Sequence, residues 1–270
     1  MQQAIFNRFR NIIYERSGIV LSEEKKSLLS SRIQKRIRDN NLENELQYLE
    51  IIELDMSGSE LTELIDAIST NTTYFWREAE HFQILGDIFK MWSKAGKTKY
   101  RIWCAASSTG QEPYILAMLM REHLKTQMDL KILATDVSTR VLKIAHAGIY
   151  SAEDVAKLPS NLRTKYFLPL HAENGQDSQK LQVAQPLRDI TVFKKLNLVE
   201  FPYPLKGPID IIFCRNVMIY FDLTTRRQII NEFQKLLAPG GFLFLSLSES
   251  LLGIEHSLQK YGISVFQRNV

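Results

Sequence analysis

The sequence predicts an α/β protein in which a mostly parallel sheet carries helices on both faces, preceded by an all-helical domain and interrupted by a small antiparallel insertion. Three observations lead there. From about Arg101 onward, β-branched and aromatic runs alternate with stretches of helical spacing, the pattern of parallel strands joined by crossover helices. Residues 1–69 carry helical spacing only. Between Tyr166 and Lys195 the alternation breaks: Asn174-Gly175 precedes the short runs Lys180–Val183 and Ile190–Phe193, which suit an antiparallel excursion. The implied division is a helical domain over 1–69, a linker over 70–80 and an α/β domain over 81–270, with the insertion at about 166–195.

In the helical domain, Phe6, Phe9, Ile12 and Ile13 define a first helix that Gly18 ends. A second, over about 22–39, has Leu28, Leu29, Ile33 and Ile37 as its apolar stripe. Its other positions hold Lys25, Lys26, Arg32, Lys35, Arg36 and Arg38, against only Glu23 and Glu24 in the first turn, where the helix dipole favours them. Such a face is either plain solvated surface or an electrostatic dock for an acidic protein or a nucleic acid. The lack of interleaved aromatic residues weakens the single-stranded nucleic-acid version. Leu46, Tyr48, Leu49, Ile51 and Ile52 give a third helix, and Leu61, Leu64, Ile65 and Ile68 a fourth.

The linker, Thr70-Asn71-Thr72-Thr73-Tyr74-Phe75-Trp76-Arg77-Glu78, joins polar residues to three aromatics and an arginine. Asn71 and Thr73 can cap the helix that follows, and Arg77 can pair with a surface carboxylate. The position between two domains, where clefts form, favours a binding segment instead. Next, Lys99 to Met120 reads as a strand, a tight turn of small residues and a helix, with Pro113 in a first-turn position where its missing N–H is not needed. Small side chains there let a ligand approach the backbone, and the helix start offers unbonded N–H groups. Glu112 sits at that turn. Asp136 ends the next apolar run, and a carboxylate at the tip of a second strand suits the two donor hydroxyls of a ribose. A dinucleotide site would show G-x-G-x-x-G, but only Gly110 is present, so S-adenosylmethionine fits better than NAD. A packing turn with no ligand is the alternative.

Further strands are expected at 190–195, 209–214, 242–247 and 262–267, after those at 100–105 and 130–135; helices are expected near 112–124, 138–146 and 222–237. Ligands of open α/β sheets sit beyond the carboxyl ends of the strands. Arg215, Asn216 and Tyr220 therefore fall on the same rim as Ser107, Glu112 and Asp136, and Asn197-Leu198 closes another strand there. The run Leu237-Ala238-Pro239-Gly240-Gly241-Phe242 reads as a helix end, a turn and a late strand, an arrangement that recurs in class I methyltransferases.

Composition bounds the rest. The net charge of +4 is mild, so basic residues matter by where they cluster. Cys104 and Cys214 lie in apolar runs with no metal or disulfide spacing, which suits reduced thiols in the cytoplasm. The five histidines are scattered, so no metal is expected. The N-terminal stretch has no apolar secretion segment, and the longest uncharged run, Leu236 to Ser248, is too short to span a bilayer.

Together the stretches 70–82, 101–114, 134–150, 213–222 and 237–250 resemble one family, the chemotaxis receptor methyltransferases called CheR, in the family's order and over nearly the whole chain. FCRNVMIYFD and TGQEPY carry most of the specificity. The resemblance implies a class I, Rossmann-like S-adenosylmethionine-dependent sheet with a helical N-terminal domain and a β-subdomain. It implies a cytoplasmic protein-glutamate O-methyltransferase acting on membrane chemoreceptors, with S-adenosylhomocysteine as product and no insertion into the membrane. Carried onto matching positions, the cofactor would be held by Asn71, Thr73, Arg77, Glu112, Asp136, Asn197, Leu198, Arg215 and Asn216, with Arg77 and Tyr220 facing the methyl and the substrate carboxylate. The basic second helix, through Lys25, Arg32, Lys35, Arg36 and Arg38, would face the receptor. Gln111 stands where the family often has a second Glu, and the insertion matches poorly, which leaves binding of a receptor tail peptide open.

Two other readings compete. A class I enzyme acting on nucleic acid would use the helical domain as its grip, but amine methylation of bases typically leaves an NPPY- or DPPY-like motif where this chain has Arg215-Asn216-Val217-Met218. A non-catalytic S-adenosylmethionine sensor would have no need of Arg77, Asp136 and Tyr220 together.

Overall fold

The computed structural model describes residues 1–55, 57–68, 73–125, 127–170 and 180–269. The helical domain holds α1 (Gln3–Ser17), a 3-10 turn at Glu23–Lys25, α2 (Lys26–Asp39), α3 (Glu45–Leu54) and α4 (Ser59–Ile68). Asn44 starts α3 by accepting the Leu46 and Gln47 N–H groups on its side chain. The four helices bury one stripe each around Phe6, Phe9, Ile33, Tyr48 and Leu64.

The second domain runs α5 (Glu80–Lys94), β1 (Lys99–Ala105), α6 (Gln111–His123), β2 (Asp129–Asp136), α7 (Thr139–Ala147), β3 (Ile149–Ser151), α8 (Ala152–Val155), α9 (Ser160–Tyr166), β4 (Phe167–Pro169) and β5 (Lys180–Val183). It continues through α10 (Gln185–Arg188), β6 (Thr191–Lys195), β7 (Ile209–Cys214), α11 (Leu223–Leu236), β8 (Leu237–Leu245), β9 (Gln259–Gly262) and β10 (Val265–Gln267). The main sheet has the order β6-β2-β1-β7-β8-β10-β9, parallel except that β10 runs antiparallel to both its neighbours. β1 pairs in parallel with β2 on one side and β7 on the other, so the chain order reverses there and a crevice opens beyond the strand ends. Alternation along β1 feeds two apolar layers: Ile102 and Cys104 pack under α5 and α6, while Trp103 and Ala105 pack toward α11. Among the described residues no helix is long and apolar enough to cross a membrane.

The structure redraws three local expectations. The strand at 191–195 is the edge of the main sheet, paired in parallel with β2, and not part of the antiparallel insertion. That insertion is instead a separate three-stranded sheet, β3-β5-β4, which recruits Ile149–Ser151 from before 166; Asn174-Gly175 lies outside the described residues. The last strand divides into the hairpin β9–β10.

The helical domain sits on the rim of the sheet through the end of α1. Gly18, at φ 69°, turns the chain so closely that a Cβ there would lie 2.5 Å from Val199 Cγ1. Ile19 then bridges to Phe221, and the Val20 N–H donates to the Tyr220 carbonyl at 2.9 Å. Tyr14 donates its hydroxyl to Asp222 at 2.6 Å, and Asn197 donates to the Arg16 carbonyl at 2.8 Å.

Candidate functional site

A cleft open to solvent lies where the rim, the linker and the end of α1 meet. Its lining includes Thr73, Arg77, Glu112, Asp136, Asn197, Leu198, Arg215, Asn216 and Tyr220. Of the residues expected from sequence to hold a cofactor, Asn71 alone lies outside the described residues. The helical domain contributes Ser17 and Ile19, which sequence reasoning did not single out.

Each side is positioned by the element behind it. β1 delivers Ala106, Ser107 and Ser108 to the floor, and the Ser108 N–H donates to Asp136 Oδ2 at 2.8 Å. The Ser138 N–H donates to the other Asp136 oxygen at 3.0 Å. Burial pushes the Asp136 carboxyl above its usual range, and these backbone bonds pull the other way. The hydroxyl oxygens of Ser107 and Ser108 are buried without a protein partner, leaving polar capacity at the floor.

The linker is folded back over the rim by Arg215, whose side chain is 1% exposed. It donates to the Arg77 carbonyl at 2.7 Å, pairs with Glu78 at 3.3 Å and Glu112 at 3.1 Å, and lies 5.5 Å above the Phe82 ring. Glu78 also accepts from Asn216 and from the Leu247 N–H. Burial works against the charged form of Glu78, but Arg215 and these donors outweigh it and hold the carboxyl below its usual value. Helix α5 begins only at Glu80, with no side-chain cap, so Thr73 is not its cap. The linker and floor are strained: Trp76, Glu78, Ala106, Ser108 and Asn216 all have left-handed φ values between 48° and 68°.

The far side of the cleft hangs on Glu249. Its two carboxylate oxygens accept four backbone N–H groups: Asn216 at 3.2 Å, Val217 at 2.9 Å, and Met218 and Ser246 at 2.8 Å each. These bonds fix the loop that carries Asn216 and leads into Tyr220. Sequence reasoning missed Glu249 and Glu78. For Glu249 a signal existed, since Ser246-Leu247-Ser248-Glu249 has the Ser-x-x-Glu spacing of a capping box. Among the described residues no His, Cys, Asp and Glu grouping able to hold a metal is present.

The basic helix needs a correction. Arg36 does not belong to an open face: its side chain is 16% exposed and forks onto Glu60 of α4 at 2.6 and 2.8 Å, with Asp39 and Glu63 nearby. The same Glu60 takes the Tyr48 hydroxyl at 2.8 Å, so Arg36 braces the helical core. Arg32, Lys35 and Arg38 are exposed on α2. Lys25 is half-buried, its ammonium 5.5 Å from the Tyr220 ring centre.

Comparison with known proteins agrees with this layout. Residues 4–69 match the family model described as CheR methyltransferase, all-alpha domain, and residues 71–266 match CheR methyltransferase, SAM binding domain. A chemotaxis protein methyltransferase of Borreliella burgdorferi is 39% identical over 255 residues, covering 92% of this chain and 88% of that one. One from Escherichia coli is 37% identical over 267 residues, with 98% and 91% covered. Chemotaxis protein methyltransferase 2 of Pseudomonas aeruginosa is 35% identical over 262 residues, with 97% and 91% covered. With matches over both domains and at this identity, the chain belongs to the CheR methyltransferase family and carries that family's S-adenosylmethionine-binding domain behind its all-alpha domain.

Proposed function

We propose that this chain methylates glutamate side chains on the cytoplasmic domains of membrane chemoreceptors, yielding glutamate methyl esters and S-adenosylhomocysteine. The observation that carries the proposal is the convergence of Arg77, Asp136, Asn216 and Tyr220 on one cleft at the sheet's switch point, roofed by the linker. The cleft suits the cofactor chemically: a buried carboxylate for a ribose, unpartnered serine hydroxyls, and apolar walls from Ile115, Val137, Leu196 and Phe221. In this reading Asp136 accepts from the ribose hydroxyls, while Thr73, Glu112, Asn197, Leu198, Arg215 and Asn216 shape the remaining subsites. Arg215 reaches Glu112 and the linker there, while its Nε and Nη1 still lack a hydrogen-bond partner. Asn71 belongs to the same proposed set.

When bound, S-adenosylmethionine supplies a methyl group on a sulfonium, and the sulfur takes back the bonding electron pair as a neutral thioether. A glutamate carboxylate is already ionised near neutral pH, so it attacks with no general base. The chain's task is then position and field. Arg77 orients the incoming carboxylate, and Tyr220 donates a hydrogen bond that aims one oxygen at the methyl.

The exposed cations Arg32, Lys35 and Arg38, with Lys25 at the mouth, form the proposed receptor-facing surface. Charge reversal at Arg32, Lys35 and Arg38 is expected to slow receptor methylation several-fold at low salt, with S-adenosylhomocysteine affinity unchanged. The decisive experiment is tritiated-methyl transfer to chemoreceptor-containing membranes, followed by treatment with base. Methyl esters release labelled methanol. Label that resists base, or that appears in added RNA or DNA, would overturn the proposal.

A further inference from the structure

The tip of β2 is held from two domains at once. On the sheet side, Asp136 takes the Ser108 and Ser138 N–H groups. On the other side, Ser138 points its hydroxyl proton at Asp66 of α4, 2.7 Å away, while its oxygen accepts the Val141 N–H at 3.1 Å and so caps α7. The Asp66 side chain is 4% exposed, with Arg140 at 3.6 Å as its cation. Val137, between the two residues, packs against the helical core.

We infer that Asp66 is a positioning residue for the cofactor site, holding Asp136 at its ribose-facing angle through Ser138. The inference rests on the reading of Asp136 as the ribose acceptor. One hydroxyl proton can point in only one direction. With Asp66 as its acceptor, the Ser138 oxygen is left to face Val141, and the side chain is anchored on the residue whose backbone N–H meets Asp136. Removing Asp66 strands a buried hydroxyl and loosens that geometry. The charge of Asp66 is not what matters. A second carboxylate near Asp136 only makes its ionisation harder, adding to burial. An asparagine at 66 keeps the acceptor and drops the charge.

Plain interdomain glue would predict lost stability with unchanged affinity in the molecules that stay folded. Positioning predicts a rise in the S-adenosylhomocysteine Kd and in the S-adenosylmethionine KM, with kcat preserved at saturation. The test is calorimetry with S-adenosylhomocysteine on the full chain, together with steady-state methylation. Asp66→Ala and Ser138→Ala should each weaken binding about fivefold, the first through loss of one buried hydrogen bond and the second through loss of that bond and of the Val141 cap. The double variant should be no worse than either single one. Asp66→Asn should stay within about twofold of wild type. If Asp66→Ala fails to fold, Ser138→Ala carries the test. Wild-type affinity in Ser138→Ala or Asp66→Ala, alongside weakened binding in Asp136→Asn, would overturn the inference and spare the reading of Asp136. Unchanged binding in Asp136→Asn would overturn both.

Discussion

Two buried carboxylates stand on the rim of the sheet, and they are spent differently. Glu249, beyond β8, uses both oxygens on four backbone N–H groups and does not line the cleft. Asp136, at the tip of β2, takes one N–H on each oxygen and does line it. A carboxylate has about four lone-pair directions. Glu249 has filled its own on the fold, while Asp136 keeps capacity facing the cleft. Burial pushes both carboxyls up, so the pKa direction does not separate anchor from site; the count of internal donors does.

Breaking the closed end should do the most damage. Glu249→Ala leaves four N–H groups, two buried and two part-buried, without an acceptor, a cost of at least about 3 kcal/mol. Thermal unfolding should then fall by roughly 6–12 °C for a chain of this size. Glu249→Gln should recover only part of that loss, because its amide nitrogen faces two of the donors. A melting temperature unchanged in Glu249→Ala would mean that the loop stands without it.

The open end should answer in function and not in stability. Arg77 lies 5.8 Å above the Tyr74 ring at the cleft wall, whereas Arg215 lines the same cleft with its side chain only 1% exposed. Arg77→Ala is expected to cut kcat about 100-fold, the scale of one lost electrostatic contact at a reacting centre, with S-adenosylhomocysteine affinity moved less than about threefold. Equal turnover would remove Arg77 from the chemistry. Next in size, Asp136→Asn should raise the S-adenosylhomocysteine Kd about tenfold through loss of charge-assisted hydrogen bonds to the ribose. Its melting temperature should stay within about 2 °C of wild type, in contrast to Glu249→Ala.

The same contrast marks what the sequence could reveal. β1, its turn and α6 were legible because their determinants are local: a β-branched run, small residues, then helix formers behind Pro113. Asp136, Arg215 and Asn216 were legible because strand ends of an α/β sheet share a rim whatever the loops do. Glu78 and Asp66 were not, since their main partners lie far along the chain; Glu249 showed only its short spacing to Ser246, while its other three donors come from a distant loop. Arg36 misled for the same reason: helical spacing puts it beside Arg32, but Glu60 of another helix claims it. The strand at 191–195 was ambiguous because a parallel edge partner leaves no turn signal nearby.

The smallest expected effect, and the sharpest discriminator, is in pH. A carboxyl whose folded pKa lies above its unfolded value binds protons more readily in the native state. Its contribution to folding is therefore present at low pH and lost as pH rises from the ordinary carboxylate range through the raised value. Ligand binding at Asp136 runs the opposite way, because only the ionised form accepts from both ribose hydroxyls. Lowering the pH from about 8 to about 5 should weaken S-adenosylhomocysteine binding a few-fold, beginning above the range where an ordinary aspartate titrates. Asp136→Asn should flatten that dependence. Glu249 also titrates high but has no ligand to lose, so Glu249→Gln, measured where it is folded, should keep the wild-type slope. A slope abolished by Glu249→Gln and kept by Asp136→Asn would reverse the assignment of anchor and acceptor.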